Sequence, residues 1–168
     1  TASGCRPLLP LEGQGRCTDL INYIYNDFLV NFKLEAVILS GRWMANDVQR
    51  FDSTVHHLSS LNQDVVVFGP SAEFSPSVPR ILMTAKRGLE RVSILPSDER
   101  LMLSSEIAAA LGDTQAQFVS IIDVQCPAQQ CVVSNINGVP YIWDYGHYTK
   151  EGSVFIAHEL SRLGLLPI

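Results

Sequence analysis

Two side chains near the end of the chain have the types and the spacing for proton-transfer chemistry. Asp144 and His147 lie in the segment Trp-Asp-Tyr-Gly-His, where an apolar run breaks and a turn at Gly146 precedes a helical pattern. A carboxylate three residues before an imidazole can hold one tautomer of the ring and stabilise the ring when it is protonated. The pair could therefore supply the base, and the carboxylate that orients it, in the activation of a nucleophile. The alternative interpretation is that Asp144 caps a turn and that His147 is an ordinary loop histidine.

The composition limits the functions that such a pair can serve. With 168 residues and 46% hydrophobic content, the chain is long enough for a substantial core, and we predict a single domain over residues 1–168. The net charge is −5 and Lys and Arg do not cluster, so we expect no nucleic-acid partner. No apolar run approaches the roughly 20 residues that a membrane-spanning helix needs.

The four cysteines form two local pairs, Cys5 with Cys17 and Cys126 with Cys131. An even number of cysteines, paired locally and flanked by turn residues, favours two short disulfides and an oxidising compartment. Two alternatives stay open at this point. A zinc site fits the spacing only loosely, and buried free thiols would suit a cytosolic protein. We predict no metal and no cofactor.

Apolar segments of two kinds alternate along the chain and predict the elements that position the Asp–His pair. Short β-branched runs predict buried parallel strands, and apolar residues three and four apart predict helices. The predicted fold class is α/β, with a central parallel sheet and helices on both faces. The predicted strands are 35–40, 64–69 and 117–124. The predicted helices are 18–32, 48–61, 80–91, 98–111 and one that begins near Lys150.

The loop after the first predicted strand carries further candidate residues. The carboxyl ends of parallel strands share one edge of a sheet, and we expect the Asp–His pair at that same edge. Arg42 and Trp43 are predicted to line a pocket there. The backbone N–H near Gly41, or the amide of Asn46, can be offered to an oxyanion. The alternative for Arg42 and Trp43 is a loop that is packed by an aromatic ring and solvated by a charge.

Five segments have an order and spacing that are fairly specific in combination: 1–9, 36–43, 65–74, 126–131 and 143–152. Together they resemble the SGNH (GDSL-like) hydrolase fold, and more narrowly the SGNH domain on the C-terminal side of membrane-bound acyltransferase-3 proteins. The resemblance implies a three-layer, flavodoxin-like fold and a periplasmic or extracytoplasmic domain of a bacterial inner-membrane protein. Such modules help to transfer acyl groups, usually acetyl, to a cell-surface carbohydrate. The implied partners are a carbohydrate acceptor, an acyl donor and the transmembrane acyltransferase domain.

The resemblance also implies roles for individual residues. His147 matches a general base, and Asp144 matches the aspartate that orients it. Gly4 and Gly41 match glycines whose backbone N–H groups form the oxyanion hole. Trp43 stands where many of these enzymes have an oxyanion asparagine, which leaves Asn46 as a possible replacement donor.

The serine nucleophile is the main departure from the family pattern. The family has this serine in a Gly-Asp-Ser segment at the end of the first strand, upstream of the residue that matches Gly4, and no Gly-Asp-Ser occurs in this chain. We therefore expect a chain that is incomplete at its N-terminus, lacks the first strand, and is inactive alone because an upstream segment supplies the serine. Two alternatives are a non-catalytic module of the same fold that binds a glycan or a partner, and a stand-alone carbohydrate acetylesterase.

Overall fold

A computed structural model describes residues 5–13, 15–85 and 94–166. No helix in these ranges is long and apolar enough to cross a membrane. The strands are β1 (Val37–Leu39), β2 (Val65–Phe68) and β3 (Gln117–Val119). The α-helices are α1 (Arg16–Tyr23), α2 (Leu29–Asn31), α3 (Phe51–Ser60), α4 (Val78–Ala85), α5 (Asp98–Leu111), α6 (Ile121–Gln125) and α7 (Lys150–Arg162). The remaining helical segments are a π-helical turn at Ile24–Phe28 and 3₁₀ turns at Ala45–Arg50 and Pro127–Gln129.

The three strands form a parallel sheet in which β2 lies between β1 and β3. Val65, Val66 and Val67 of β2 are all buried, as expected for a central parallel strand that is covered on both faces. The predicted α/β class, with a parallel sheet and helices, is confirmed. Neighbouring strands pair directly, so a further strand would have to pair along the outer edge of β1 or of β3. A first strand supplied from upstream stays a prediction.

The chain divides into two compact units. The first contains the sheet and consists of the described residues up to Pro70 together with Leu103–Val119. The second contains the Asp–His pair and consists of Ser71–Met102 and Ser120–Leu166, without the residues outside the described ranges. Each unit has its own cluster of buried hydrophobic side chains. The prediction of a single domain, incomplete at its N-terminus, stays a prediction.

The core of the second unit holds the chain on which the Asp–His pair lies. Phe74, Val78, Ile122 and Ile142 are buried in one cluster. Ile142 has no exposed surface and precedes Asp144 by two residues. The loop that carries the pair therefore begins at a residue fixed in the core.

Two disulfides are present, Cys5–Cys17 and Cys126–Cys131, and no cysteine is free. The first ties the start of the described chain to α1, and the second closes the loop after α6. The two local disulfides predicted from the sequence are thus confirmed, in preference to a zinc site or free thiols.

The strand predicted at 117–124 is wrong in its second half. The strand ends at Val119, and α6 begins at Ile121. Ser120 lies between them and accepts a hydrogen bond on its side chain from the backbone N–H of Asp123. A serine in this position caps a helix, and this cap outweighs the β-branched character of the residues that follow.

The first predicted helix is present, but it begins earlier and buries fewer residues than expected. It starts at Arg16, before the predicted start at residue 18. Leu20 and Phe32, assigned to its apolar face, are 42% and 57% exposed. Phe32 follows the last helical residue, Asn31, and its backbone is extended, so it lies outside the helix. Of the helix predicted at 80–91, residues 86–91 lie outside the described ranges.

Candidate active site

Asp144 holds His147 with both of its carboxylate oxygens. Oδ2 lies 2.7 Å from Nδ1 of the imidazole. Oδ1 accepts hydrogen bonds from the backbone N–H groups of Gly146 and His147, each at 2.9 Å. The two interpretations of the sequence are therefore compatible, because one oxygen closes the turn while the other orients the ring.

The contact at Nδ1 sets the tautomer of His147. An ionised carboxylate only accepts hydrogen bonds, so Nδ1 of His147 must donate to Asp144. In the neutral ring Nε2 then carries no proton and is available to accept one. The His147 side chain is 58% exposed and that of Asp144 only 23%, so the ring is accessible while its carboxylate is half-buried. This arrangement suits a general base.

Hydrogen bonds keep Asp144 in its charged form. Partial burial alone would raise the pKa of this carboxyl. The backbone N–H groups of Gly146 and His147, together with the His147 ring, outweigh that effect and lower the pKa of Asp144 from 3.8 to about 2. A charged Asp144 can stabilise the imidazolium that forms when His147 takes up a proton.

Backbone hydrogen bonds attach the loop of the pair to the segment that leads into α4. The N–H of Phe74 donates to the carbonyl of Tyr145 at 2.8 Å, and the N–H of Val78 donates to the carbonyl of Asp144 at 2.9 Å. Within the loop, the N–H of Trp143 donates to the carbonyl of His147 at 3.0 Å. Because Phe74 and Val78 are buried, these bonds connect the loop to the core of the second unit.

Glu73 lies directly against the turn of the Asp–His loop. A Cβ on Gly146 would stand 3.0 Å from Cγ of Glu73, so the turn has little room for any residue but glycine. The Glu73 carboxylate pairs with Arg100, whose side chain is 3% exposed. The Glu73 carbonyl accepts a hydrogen bond from the N–H of Ser97 at 2.8 Å. The sequence assigned no role to Glu73, and these contacts make it a support of the turn.

The helix that follows the loop is fixed to the chain that precedes it. Thr149 caps α7: its hydroxyl accepts a hydrogen bond from the N–H of Gly152 at 3.1 Å and donates to the carbonyl of Pro140 at 3.0 Å. A Cβ on Gly152 would overlap the carbonyl oxygen of Tyr141. Helix α7 thus packs against the backbone of Tyr141 at a distance that only a glycine permits. This contact joins the chain that follows His147 to the chain that precedes it.

Tyr148 anchors the residue next to the candidate base. Its hydroxyl donates to the side-chain oxygen of Gln125 at 2.6 Å, and Gln125 is 1% exposed. Burial raises the pKa of Tyr148, so the hydroxyl stays protonated and keeps donating. The backbone at His147 is therefore held from the C-terminal side as well.

Two exposed aromatic rings flank the imidazole. The ring of Trp143 is centred 5.7 Å from that of His147 at an interplanar angle of 30°, and the ring of Tyr145 is centred 5.4 Å from it at 73°. Trp143 is 60% exposed and Tyr145 is 39% exposed. The sequence analysis gave neither residue a role. The available signal was the run of aromatic residues interleaved with the Asp–His pair.

Trp43, predicted as a possible pocket residue, lies in the core of the first unit. It has no exposed surface, and its ring meets that of Phe51 edge to face at 5.0 Å. Its indole N–H donates to the carbonyl of Phe68 at 2.7 Å. These contacts fit the alternative that the sequence left open, an aromatic ring that packs the loop. A pocket role for Trp43 stays a prediction.

The other predicted oxyanion and pocket residues are placed as follows. Gly41, Arg42 and Asn46 are exposed in the loop after β1, in the first unit. Gly4 lies outside the described residues. The structure thus brings Asp144 and His147 together within one unit, and the oxyanion role of the glycines and of Asn46 stays a prediction.

A buried ionic cluster that the sequence analysis missed holds the loop after β1. Asp47 has no exposed surface and accepts hydrogen bonds from the backbone N–H of Met44 at 2.8 Å and from Arg6 at 3.2 Å. Arg50 lies 3.5 Å from Asp47 and donates to the carbonyl of Leu8 at 2.6 Å. The cluster therefore ties this loop to the chain segment that follows Gly4.

Other histidines beside carboxylates provide a comparison within the described residues. His56 lies 3.2 Å from Asp52 on α3, and His158 lies 3.5 Å from Glu159 on α7. Their side chains are 68% and 72% exposed. Both contacts are longer than the one to His147 and lie on helix surfaces. Across the described ranges, no group of three or more His, Cys, Asp or Glu side chains is placed to hold a metal ion.

Comparison with known proteins defines the class of this α/β fold. The chain is similar to the solved periplasmic domain of the lipopolysaccharide acetyltransferase of Salmonella ser. Paratyphi A, with a TM-score of 0.75 and 17% sequence identity over 97% of this chain and 70% of that one. The likeness shows a shared SGNH-type fold. The model of the family "SGNH domain (fused to AT3 domains)" matches residues 1–162, and the chain therefore belongs to this family. No curated protein matches it. The resemblance inferred from the sequence is confirmed.

Proposed function

We propose that this chain is the extracytoplasmic module of an O-acyltransferase and takes part in O-acetylation of a cell-surface carbohydrate. The observation that carries the proposal is the 2.7 Å contact between Oδ2 of Asp144 and Nδ1 of an exposed His147. Membership of a family of SGNH domains fused to AT3 domains supports a partner domain that handles acyl groups. The fold, shared with the periplasmic domain of a lipopolysaccharide acetyltransferase, supports a carbohydrate acceptor.

In the proposed mechanism an upstream segment supplies the serine nucleophile. Nε2 of His147 takes the proton of the serine hydroxyl while the serine oxygen attacks the acyl carbonyl, and the donor leaves with that proton. A sugar hydroxyl then gives its proton to Nε2 and attacks the acyl-serine. The ester bond to serine breaks, and the proton passes from His147 to the serine oxygen. Asp144 keeps the ring oriented and stabilises it when it is charged.

The oxyanion of each tetrahedral intermediate needs hydrogen-bond donors. We assign the backbone N–H groups of Gly4 and Gly41 to this role, with the amide of Asn46 as a further donor. The indole N–H of Trp43 is bonded to the carbonyl of Phe68 and is therefore not the donor. The Asp47–Arg50 cluster would help by holding the loop after Gly41 and the chain at Leu8.

The proposed location is the periplasm, as a domain of a bacterial inner-membrane protein. Two disulfides within 168 residues suit an oxidising compartment. A family that fuses SGNH domains to AT3 domains supports a membrane acyltransferase domain as the natural partner.

One observation favours a second candidate function, a non-catalytic module that binds glycan or a partner. Trp43 is buried at the position where the family pattern predicts an oxyanion asparagine. In this second candidate Asp144 would remain as the residue that closes the turn, and His147 would have no catalytic task.

The test is hydrolysis of p-nitrophenyl acetate, and acetyl transfer from it, by the full-length protein. We expect His147→Ala to lower both rates by at least about 100-fold, since a general base contributes that much or more. His56→Ala is the matched control, because His56 also lies beside a carboxylate but on a helix surface. Equal rates for wild type and His147→Ala would reject the acyltransferase mechanism and favour the binding module.

A further inference from the structure

The aromatic rings beside His147 are placed to contact a ligand at the candidate base. Trp143 and Tyr145 have their ring centres within 5.7 Å of the imidazole centre, and both rings are substantially exposed. The only other tryptophan of the chain, Trp43, is completely buried. An exposed indole beside an accessible imidazole places apolar surface where a ligand of His147 would lie, and exposed apolar patches mark sites of interaction.

The backbone around Trp143 makes this aromatic surface rigid. The residue before it, Ile142, is buried in the core, and the N–H of Trp143 is bonded to the carbonyl of His147. The carbonyl of Tyr145 is held by the N–H of Phe74. Binding of a ligand to these rings would therefore cost little conformational entropy of the protein backbone, and this favours affinity.

We propose that Trp143 and Tyr145 form the acceptor subsite and hold the ring of a pyranose against His147. The assignment rests on the function proposed above. An acceptor must bring a hydroxyl to Nε2 and must also present a surface that packs on aromatic rings. A pyranose has both, because its hydroxyl groups surround a face of C–H bonds, and C–H groups with a partial positive charge are attracted to the negative face of an aromatic ring.

A separate cavity is lined by residues near the Asp–His loop, among them Tyr141, which precedes Trp143 by two residues. The cavity has a volume of about 350 Å³. Two residues of its lining, Tyr141 and Phe155, stack with ring centres 4.6 Å apart and an interplanar angle of 12°. Asn135, Lys150, Glu151 and His158 add hydrogen-bonding groups to the lining. Trp143, Tyr145 and His147 do not line this cavity, so the proposed acceptor subsite is the aromatic surface beside His147 alone.

The experiment compares two acceptors in the full-length protein, with p-nitrophenyl acetate as donor. Methyl α-D-glucopyranoside offers hydroxyls on a ring with C–H faces, whereas glycerol offers hydroxyls without a ring. Mass spectrometry of the acetylated products gives kcat/KM for each acceptor. The ratio of the two values isolates ring recognition, because both acceptors use the same base and nucleophile.

We expect Trp143→Ala to lower the ratio of pyranoside to glycerol transfer about tenfold, the effect of losing one aromatic contact. Trp143→Phe should restore part of it, since phenylalanine keeps a ring. Tyr23→Ala, which removes another exposed aromatic ring from the first unit, should leave the ratio unchanged. An unchanged ratio in Trp143→Ala would overturn the assignment.

A binding measurement separates this inference from the proposed function. Methyl α-D-glucopyranoside should change the tryptophan fluorescence of the wild type, and the change should disappear in Trp143→Phe. This result would support the subsite even if His147→Ala had no effect on acyl transfer. No pyranoside-dependent signal from Trp143 up to molar sugar would overturn the subsite, whatever the outcome for His147.

Discussion

Asp144 binds His147 at two points, through Oδ1 to its backbone N–H and through Oδ2 to its ring nitrogen Nδ1. The carboxylate thus fixes the position of the residue and the orientation of its side chain at once. Substitutions that remove one contact and keep the other can separate the structural role of Asp144 from its chemical role.

Asp144→Asn keeps an oxygen for the two backbone N–H groups but presents an amide N–H to the ring. The ring must then accept at Nδ1 and carry its proton on Nε2, which is the wrong tautomer for a base. We expect acetyl transfer by the full-length protein to fall roughly 10³- to 10⁴-fold, while the melting temperature changes little. Asp144→Ala loses both contacts and should lower the melting temperature further than Asp144→Asn. Wild-type transfer rates in Asp144→Asn would contradict the role assigned to Asp144.

The low pKa of Asp144 predicts a specific dependence of stability on pH. Folding lowers this pKa from 3.8 to about 2, so the charged carboxylate stabilises the folded state above about pH 4. That contribution is lost as the pH falls through the interval from about 4 to about 2. The difference in unfolding free energy between wild type and Asp144→Asn should shrink as the pH falls from about 4 to about 2. A difference that grows as the pH is lowered would contradict the assigned sign.

Even the methyl group of an alanine at position 152 should lower the stability of the fold. Because a Cβ there overlaps the carbonyl oxygen of Tyr141, Gly152→Ala must push α7 away from the segment that precedes the Asp–His loop. We expect a loss of about 2–3 kcal/mol in unfolding free energy, the range for overpacking against an unyielding neighbour. Chemical denaturation measures it. Gly112→Ala is the control, since a Cβ there meets its nearest atom at 3.4 Å and should cost far less.

The ion pair of Glu73 and Arg100 should matter for both stability and turnover. Arg100→Ala removes the buried cation of this pair, and we expect a loss of about 2 kcal/mol, less than for a fully buried pair because Glu73 is 21% exposed. Glu73→Ala also removes the support behind Gly146, so kcat should fall about tenfold through loss of orientation. The exposed pair of Arg162 and Glu159 is the control, and Arg162→Ala should change neither quantity. A normal kcat in Glu73→Ala would show that the turn holds without Glu73.

The disulfide that closes the longer loop should contribute more to stability, with a logarithmic dependence on loop length. Replacing both cysteines of Cys5–Cys17, separated by 12 residues, should cost about 3 kcal/mol. Replacing both cysteines of Cys126–Cys131, separated by 5 residues, should cost about 2 kcal/mol. Thermal unfolding of the two double serine variants tests the order. A larger loss for the shorter loop would indicate native-state contacts that outweigh loop entropy.

The sequence predicted those features that depend on neighbours in the chain. A run of valines at 65–67 is typical of a buried parallel strand and can be recognised from neighbouring residues alone. The three-residue spacing of Asp144 and His147 is short enough that one turn brings the side chains into contact. The two disulfides were predictable for the same reason, because each joins cysteines that are close in the sequence.

Features that depend on distant neighbours were not predictable in this way. Glu73 meets Arg100 across 27 residues, and nothing local marks either residue as a partner of the other. The burial of Trp43 depends on a carbonyl of Phe68 and a ring of Phe51 that the loop reaches only in the folded chain. Ser120 is an exception, since its helix-capping signal was present locally but was masked by β-branched residues on both sides.

The double use of the Asp144 carboxylate has a consequence for how this family can diverge. A descendant that abandons the chemistry still needs Oδ1 to close the turn at Gly146, so selection for folding alone would retain the aspartate. The imidazole of His147 closes no turn and fills no core, and in such a lineage it would be free to drift. Under the mechanism proposed above, the histidine is the informative marker of activity across relatives of this chain, and a relative that keeps only the aspartate would keep the turn without the base.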